Sequence, residues 1–268
     1  MAAKRNVTGR IEVDLNLAGK TALVTGGSKG IGRAIAEVLA AEGCTLHLAA
    51  RTEADLEAAR DEINAAHGAQ VTVHAMDLSH GDTVRKLAAD TAGIDILVNN
   101  AGAIPGGDIE AIDEATWREA WDLKVHGYVN LCREVYPAMC ARGSGVIVNV
   151  IGNAGVRPRA GYVAGSVGNA GLMALTKALG AESLDHGVRV VAINPGPIET
   201  ERLITLQKTA AESKFGDPER WPEMLAGQPA GRAGTAEECA NVVAFLASDK
   251  ASWVNGVTFS VDGGGSAR

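Results

Sequence analysis

Residues 25–32 read Thr-Gly-Gly-Ser-Lys-Gly-Ile-Gly and join a short apolar, β-favouring run to a stretch with helical periodicity. Glycines at such a turn let backbone N–H groups approach a phosphate without interference from Cβ atoms. The start of the helix adds partial positive charge at the same place. A strand, a glycine-rich turn and a helix in this order favour a nucleotide-binding site over an ordinary tight turn.

Strand and helix patterns alternate along the chain. Apolar, β-favouring runs fall at 20–25, 44–50, 71–76, 94–98, 145–151, 188–193 and 256–261. Helical periodicity covers 31–42, 53–66, 80–91, 114–141, 161–185 and 235–248. This alternation predicts an α/β fold in which about seven parallel strands form a doubly wound sheet with helices on both faces.

One segment, 197–235, interrupts the alternation with several prolines. It follows the carboxyl end of a strand, which is where open α/β sheets bind ligands. We interpret it as a mobile substrate loop, with a passive loop as the alternative. Its apolar residues predict a partly apolar small-molecule substrate. The rest of the chain is interpreted as an N-terminal arm at 1–16 and a single domain at 17–268.

Composition excludes several other classes of protein. The net charge of −7, with 25 basic and 32 acidic residues, argues against a nucleic-acid-binding surface. No apolar run is long enough for a transmembrane helix, and the first 16 residues lack the apolar centre of a signal peptide. The four cysteines have no metal-like spacing, so we expect no metal and a cytoplasmic protein with reduced thiols.

Further motifs follow the predicted strands. Asp-Leu at 77–78 ends the third, Asn-Asn-Ala-Gly at 99–102 follows the fourth, Asn-Pro-Gly at 194–196 ends the sixth, and Val-Asp-Gly-Gly at 261–264 closes the chain. With the opening glycine turn, these motifs resemble the short-chain dehydrogenase/reductase family from about residue 17 onward. The resemblance implies a Rossmann-type fold, a nicotinamide cofactor and a homo-oligomer, usually a tetramer.

The resemblance also implies which residues contact the cofactor. The phosphates would lie against Gly26, Ser28, Lys29, Gly30 and Ile31, and the adenine beside Asp77 and Leu78. The adenosine ribose would lie near Asn100, Ala101 and Gly102, and the nicotinamide near Pro195, Gly196 and Ile198, with Thr200 close to its carboxamide or to the phosphates.

The end of the second strand predicts which nicotinamide cofactor binds. Enzymes of this fold that use NAD place an acidic residue there to bind the ribose hydroxyls, whereas this chain has Ala50, followed by Arg51 and Thr52. Arg51 can bind a 2′-phosphate through charge-assisted hydrogen bonds, and Lys29 adds a second cation. We therefore predict that the protein binds NADP(H) in preference to NAD(H). The alternative is that Arg51 is an ordinary solvated residue at the start of a helix.

The catalytic positions depart from the family pattern. The family uses a serine, a tyrosine, a lysine four residues after the tyrosine, and an asparagine on the preceding long helix. Counted without gaps, the serine position carries Gly152, the tyrosine position Gly165 and the lysine position Asn169. The asparagine position carries Lys124.

Other residues offer replacements for these groups. Tyr162 lies three residues before Gly165, and the glycine leaves space for its ring, although the lean of helical side chains predicts a hydroxyl that points further out. Lys124 stands where the family has an asparagine and Asn169 where it has a lysine, so the pocket would keep one amine and one amide on opposite walls. Lys124 would then act on the ribose or in proton transfer. Asn153 is a candidate for orienting a carbonyl. The alternatives are a packing tyrosine and an exposed helical lysine.

Two functions remain open at this stage. The first is an NADP(H)-dependent oxidoreductase that interconverts a carbonyl and an alcohol through a non-standard proton relay. The second is a catalytically silent dinucleotide-binding homologue that acts as a regulatory or structural subunit. The paired exchange of Lys124 and Asn169 favours the first, because it preserves both chemical groups.

Overall fold

In a computed structural model that describes residues 13–268, seven parallel strands form one sheet. The strands are β1 (Thr21–Thr25), β2 (Thr45–Ala50), β3 (Val71–Ala75), β4 (Ile96–Asn99), β5 (Gly145–Val150), β6 (Val188–Pro195) and β7 (Thr258–Val261). Their order in the sheet is β3-β2-β1-β4-β5-β6-β7. The order reverses between β1 and β4, so the crevice at this point is where such a sheet binds a ligand. The predicted doubly wound parallel sheet is confirmed.

Eight α-helices cover the sheet within the described part of the chain. They are α1 (Gly30–Ala41), α2 (Glu53–His67), α3 (Gly81–Asp90), α4 (Glu114–Trp121), α5 (Gly127–Arg142), α6 (Val163–Ser183), α7 (Glu201–Phe215) and α8 (Ala236–Ala247). One apolar core joins the sheet to α1, α2 and α8, and a second joins its other face to α3, α5 and α6. Valine, leucine, isoleucine and alanine supply most of both cores, so the central strands are buried on both sides, whereas the edge strands β3 and β7 are partly exposed.

The interpretation of 197–235 as a loop is wrong for much of its length. It contains α7 and a 3-10 helix at Pro218–Leu225. The Thr200 side chain accepts a hydrogen bond from the backbone N–H of Leu203, and Gly216 ends α7 with a φ of +70°. The prolines follow α7 instead of interrupting it, so their number says little about the first half of the segment.

The helix predicted at 114–141 is divided. A π-helical turn at Asp122–His126 separates α4 from α5 and has Lys124 at its centre. Such turns insert an extra residue into a helix and occur often at functional sites. The turn changes the direction in which Lys124 leaves the helix.

Three further observations concern the extent of the described residues and what they contain. Within 13–268, no helix is long and apolar enough to cross a membrane. The same part of the chain contains no group of three or more His, Cys, Asp or Glu side chains that could hold a metal ion. Of the predicted arm at 1–16, residues 1–12 lie outside the described residues.

Two histidines face each other on adjacent strands. His47 Nδ1 on β2 lies 3.0 Å from His74 Nε2 on β3, so one ring donates a hydrogen bond and the other accepts it. Burial lowers the pKa of both imidazoles, and the charge of His47 lowers that of His74 further. The pair is therefore stable as two neutral rings.

We expect this pair to make the fold sensitive to mild acid. The folded pKa values lie below the unfolded value of 6.5, so the unfolded chain binds protons first and the free energy of unfolding falls as the pH drops below that value. The double variant His47→Gln, His74→Gln should show a shallower fall in urea unfolding between about pH 7.5 and about pH 5.5. The matched control is His67→Gln at the exposed end of α2, which should keep the wild-type slope. An unchanged slope in the double variant would contradict the prediction.

Candidate active site

Hydrogen bonds join the carboxyl ends of β1 and β4. Thr25 Oγ1 accepts from the backbone N–H groups of Asn100 at 2.9 Å and Ala101 at 3.0 Å. The Asn100 side chain donates to the carbonyls of Thr25 at 3.0 Å and Gly26 at 3.3 Å. A Cβ on Gly26 would lie 2.8 Å from Asn100 Nδ2, and Gly26 has a φ of +65°. The glycine is therefore required both for the turn and for the approach of β4.

The predicted adenosine side of the cleft is a cavity. It has a volume of about 310 Å³, and many of the predicted cofactor-binding residues line it: Gly26, Ser28, Lys29, Arg51, Thr52, Leu78, Ala101 and Gly102. Gly30 and Ile31 do not line this cavity: Gly30 opens α1 with a φ of +57°, and Ile31 packs against the core under α1. The cavity thus joins the glycine turn to the end of β2.

The two cations at this cavity differ in their surroundings. Lys29 Nζ pairs with Asp55 at 3.0 Å, and the hydrogen bond and charge of Asp55 raise the pKa of Lys29. Arg51 is exposed and has no ion pair among residues 13–268, but its charge acts on Asp77. Burial alone would raise the pKa of Asp77; hydrogen bonds from Ser79 and the charge of Arg51 outweigh it, and the pKa is lowered. The charge of Arg51 is therefore less neutralised by neighbouring carboxylates than the charge of Lys29.

The ends of β6 and of the glycine turn also meet. The Thr200 methyl carbon would lie 3.3 Å from a Cβ on Gly30, which places the start of α7 beside the start of α1. Gly196 lies against Asp262, whose Cβ would be 2.7 Å from a Cβ on the glycine. Asn153 lies on the same side, where its Nδ2 would be 3.7 Å from a Cβ on Gly196. The predicted nicotinamide residues Pro195 and Ile198 flank this contact, Pro195 as the last residue of β6 and Ile198 in the buried core.

These features fit a dinucleotide. A glycine turn lies open beside two helix starts, and backbone N–H groups at such positions bind phosphates. A cavity with two cations at its rim continues from the turn toward β2. The buried oxygen Asn169 Oδ1 has no hydrogen-bond donor within residues 13–268. A ligand hydroxyl could supply the donor that this acceptor lacks.

Lys124 is buried against Gly102. The Cβ of Lys124 would lie 3.1 Å from a Cβ added to Gly102, and the Cδ of Lys124 would overlap that added atom. Nζ donates to the Tyr128 hydroxyl at 3.2 Å and to the carbonyls of Val150 at 3.0 Å and Ile151 at 3.1 Å. The alternative of an exposed helical lysine is wrong, because the π-helical turn directs the side chain inward to the end of β5.

The charge state of Lys124 is set by opposing effects. Burial lowers its pKa to about 7, and the positive charge of Arg202 acts in the same direction. The three oxygen acceptors around Nζ favour the ammonium. A lysine in this environment can exchange a proton near neutral pH.

The Tyr162 ring lies directly on Gly165. A Cβ on that glycine would overlap ring atoms Cε1 and Cζ. The absence of a side chain at position 165 leaves the space that the ring fills, and the direction of the hydroxyl stays a prediction. Tyr162 precedes α6 with a φ of −151° and a ψ of 47°, so the lean of helical side chains does not apply to it. Burial raises the pKa of Tyr162, and the charge of Arg202 opposes that rise.

Asn169 occupies the space beside Gly152. Its Nδ2 would lie 2.8 Å from a Cβ on the glycine, and it donates to the Gly152 carbonyl at 3.4 Å. Gly152 has a φ of +140°, which L side chains rarely adopt. Oδ1 of Asn169 is buried and has no hydrogen-bond partner among the described residues. A side chain at position 152 would thus meet both backbone strain and the amide.

Two aromatic residues belong to the surroundings of Lys124. Trp121 donates from Nε1 to the Ala164 carbonyl at 3.0 Å and fills the space above Gly168. Tyr128 is buried and donates to the Val150 carbonyl at 2.9 Å. Both share a helical face with Lys124 at spacings of three and four residues, and that spacing is the signal that identifies them.

Comparisons with known proteins agree with this geometry. A model of the short chain dehydrogenase family matches residues 20–211. The 3-oxoacyl-(acyl-carrier-protein) reductase FabG of Escherichia coli K12 is 36% identical over 254 residues, which cover 93% of this chain and 98% of the relative.

Solved structures share the whole fold. L-sorbose reductase from Gluconobacter frateurii, complexed with NADPH and L-sorbose, has a TM-score of 0.89 and 33% identity, covering 96% of this chain and 100% of that one. YwfH, an NADPH-dependent reductase involved in bacilysin biosynthesis, has a TM-score of 0.83 and 30% identity, covering 92% and 98%. Both neighbours are thus reductases named with the nicotinamide cofactor predicted here.

We expect Lys124 to titrate far below the other lysines of the chain. Burial should bring its pKa to about 7, against roughly 10.4 for an unperturbed lysine. NMR of protein carrying ¹³C-labelled lysine would follow the Cε resonances with pH, and Lys124→Met would assign the one that disappears. The other lysines serve as internal references. A Lys124 resonance that keeps its ammonium shift up to about pH 9 would mean that the three acceptors outweigh burial.

Proposed function

This chain belongs to the short-chain dehydrogenase family, and from that premise we propose that it is an NADP(H)-dependent oxidoreductase with a non-standard catalytic site. Its reaction would interconvert a carbonyl and an alcohol on a partly apolar small molecule. The family supplies the class of reaction, while the site supplies the residues that carry it out.

One observation carries the proposal: three glycines of the site each lie under a side chain from elsewhere. Tyr162 lies over Gly165, Asn169 beside Gly152, and Lys124 over Gly102. Decay of a site by loss of side chains leaves space, since a core relaxes only partly around a deletion. A phenol, an amide and an amine fill this space instead, which favours a rebuilt site.

The roles follow from the surroundings of each group. Reduction adds a hydride to the carbonyl carbon and a proton to its oxygen, and the bound nicotinamide supplies the hydride. Tyr162 is the hydroxyl at the surface of the pocket and donates the proton. Lys124 adds positive charge that favours negative charge developing on the substrate oxygen. Asn169, whose buried Oδ1 has no donor among residues 13–268, would hold a ribose hydroxyl of the cofactor, and Asn153 would orient the carbonyl.

The cofactor is NADP(H). Arg51 is exposed at the rim of the adenosine cavity, and the preceding strand ends without a carboxylate to bind the ribose hydroxyls. The neighbours named above with NADPH support this choice. Thr52 and Lys29 line the same cavity and would complete the phosphate-binding rim.

The catalytically silent alternative has less support. The named relatives and neighbours are reductases, and the site retains polar groups in its interior. A homo-oligomer, specifically a tetramer, and a cytoplasmic location remain predictions from the family resemblance and the sequence.

We expect Tyr162→Phe to slow single-turnover oxidation of NADPH by roughly 10²- to 10⁴-fold, because the ring stays while the proton donor is lost. A panel of ketones and quinones would serve as substrates, with NADPH absorbance as the readout. The rate of reduction by wild type should fall as the pH rises through about 7, because Lys124 loses its charge there. The rate of the Lys124→Met variant should not show this fall. Equal rates in wild type and Tyr162→Phe would exclude Tyr162 as donor. Tight NADPH binding without turnover by wild type would favour the silent homologue.

A matched glycine pair in α6 tests the position of the ring. Gly165→Ala must displace Tyr162 and should lower the same rate by roughly 10- to 100-fold without changing NADPH affinity. Gly171→Ala, where a Cβ meets nothing within 4 Å, should leave the rate at the wild-type value. Equal rates in both variants would show that the ring position is not used.

Arg51→Ala tests the cofactor. Loss of a charge-assisted bond to the 2′-phosphate should raise the Kd for NADPH by roughly 10- to 100-fold and leave that for NADH unchanged. Arg60→Ala on α2 is the control, because Arg60 pairs with Glu57 and Asp61. Equal effects of Arg51→Ala on the two cofactors, or no effect on either, would contradict the assignment.

A further inference from the structure

Arg202, in the first turn of α7, reaches across to the loop between β4 and α4. Its Nη2 donates to the carbonyl of Ile104 at 2.9 Å. This is the only hydrogen bond of its guanidinium to residues 13–268, and none of the ion pairs in that part of the chain includes it. A guanidinium has five N–H donors, so most of its binding capacity is unused.

The guanidinium contacts a residue of the apolar cluster against which the proposed proton donor packs. Ile104 is buried in a small apolar cluster with Ala164, and Tyr162 packs against that cluster. The charge of Arg202 reaches both titratable groups of the site. Burial lowers the pKa of Lys124 and Arg202 lowers it further, while burial raises the pKa of Tyr162 and Arg202 opposes the rise. No carboxylate of residues 13–268 contributes to either shift.

Arg202 is exposed and Lys124 is buried, and neither has an ion pair with a carboxylate among residues 13–268. Like charges that act on each other are relieved by a negative ligand, and the exposed guanidinium is the one that a ligand can reach. A planar guanidinium with free donors matches a carboxylate, which it binds through two parallel hydrogen bonds. The cofactor phosphates are a less suitable partner, because the phosphate-binding turn at Gly30 faces Thr200 and Arg202 is held at Ile104.

We propose that the substrate of this site is an oxo acid or hydroxy acid, whose carboxylate binds the free face of Arg202 while its carbonyl or hydroxyl group lies at Tyr162. The inference rests on the proposed function, since it names the substrate class for that reaction. The tryptophans Trp117 and Trp121, which pack against the same cluster, leave an apolar surface for the carbon chain of the acid. Arg202 thus determines specificity and takes no part in the proton transfer.

Paired ligands test the proposal without requiring turnover. Straight-chain oxo acids with different distances between carbonyl and carboxylate, and their methyl esters, would be titrated calorimetrically into protein saturated with NADP⁺. We expect at least one acid to bind about tenfold tighter than its ester, because the charged hydrogen bonds are lost in the ester. Arg202→Met should abolish this difference and keep the affinity for NADP⁺. Lys208→Met is the control on the same helix, because Lys208 already pairs with Glu219 at 2.7 Å.

Each outcome separates this inference from the proposed function. Acids that all bind no better than their esters, or that do not bind, would overturn the inference. Loss of NADP⁺ affinity in Arg202→Met would assign the guanidinium to the cofactor and overturn it too, while NADPH oxidation by wild type would still support the proposed function. An acid preference that depends on Arg202, without any oxidation of NADPH, would support the carboxylate site and overturn the proposed function.

Discussion

The hydrogen bonds of Thr25 and Asn100 join the ends of β1 and β4, and the geometry of the whole cleft depends on this junction. The two strands pair in the sheet as far as Val24 and Val98, and these hydrogen bonds extend their junction beyond the last pair, at the point where strand order reverses. The Asn100 side chain holds the carbonyls of Thr25 and Gly26, which fixes the glycine turn. Loss of a buried partner in such a network costs about 1–3 kcal/mol per unsatisfied group. Asn100 therefore acts on the cofactor cleft mainly by positioning its backbone.

The catalytic half of the cleft follows from close packing. Interiors leave few empty spaces, so a side chain removed at one position is replaced by a neighbour or leaves a cavity that destabilises the fold. Here Gly165 admits the Tyr162 ring and Gly102 admits the Lys124 chain. The π-helical turn accounts for the position of Lys124 at Gly102, because it directs the side chain toward β5. Backbone geometry and side-chain position are therefore linked at Lys124.

Much of the fold was predictable from the sequence, and the failures have physical causes. All seven strands and the long helices were predicted because their apolar periods are strong, and the family and its class as oxidoreductases are confirmed. Helix α7 was not predicted, because the prolines beyond its end suggested a loop even though capping residues stand at both ends of the helix. The π-helical turn was missed because a shift in backbone hydrogen bonding leaves no mark on side-chain periodicity. Arg202 lies far from the other site residues in sequence, and its role depends on a contact with Ile104 that no local pattern encodes.

The side chains around these glycines are closely packed, so substitutions among them would affect one another. A serine at position 152 would need a backbone conformation that only glycine adopts readily, and it would meet the Asn169 amide. A tyrosine at 165 would overlap the ring of Tyr162. Lysine at 169 would bring a further cation to a pocket that already feels Lys124 and Arg202. Effects of neighbouring substitutions of this kind are not additive, because each alters the space or charge that the next one meets. The constraint on this pocket is therefore the joint fit of an amine, an amide and a phenol around three glycines.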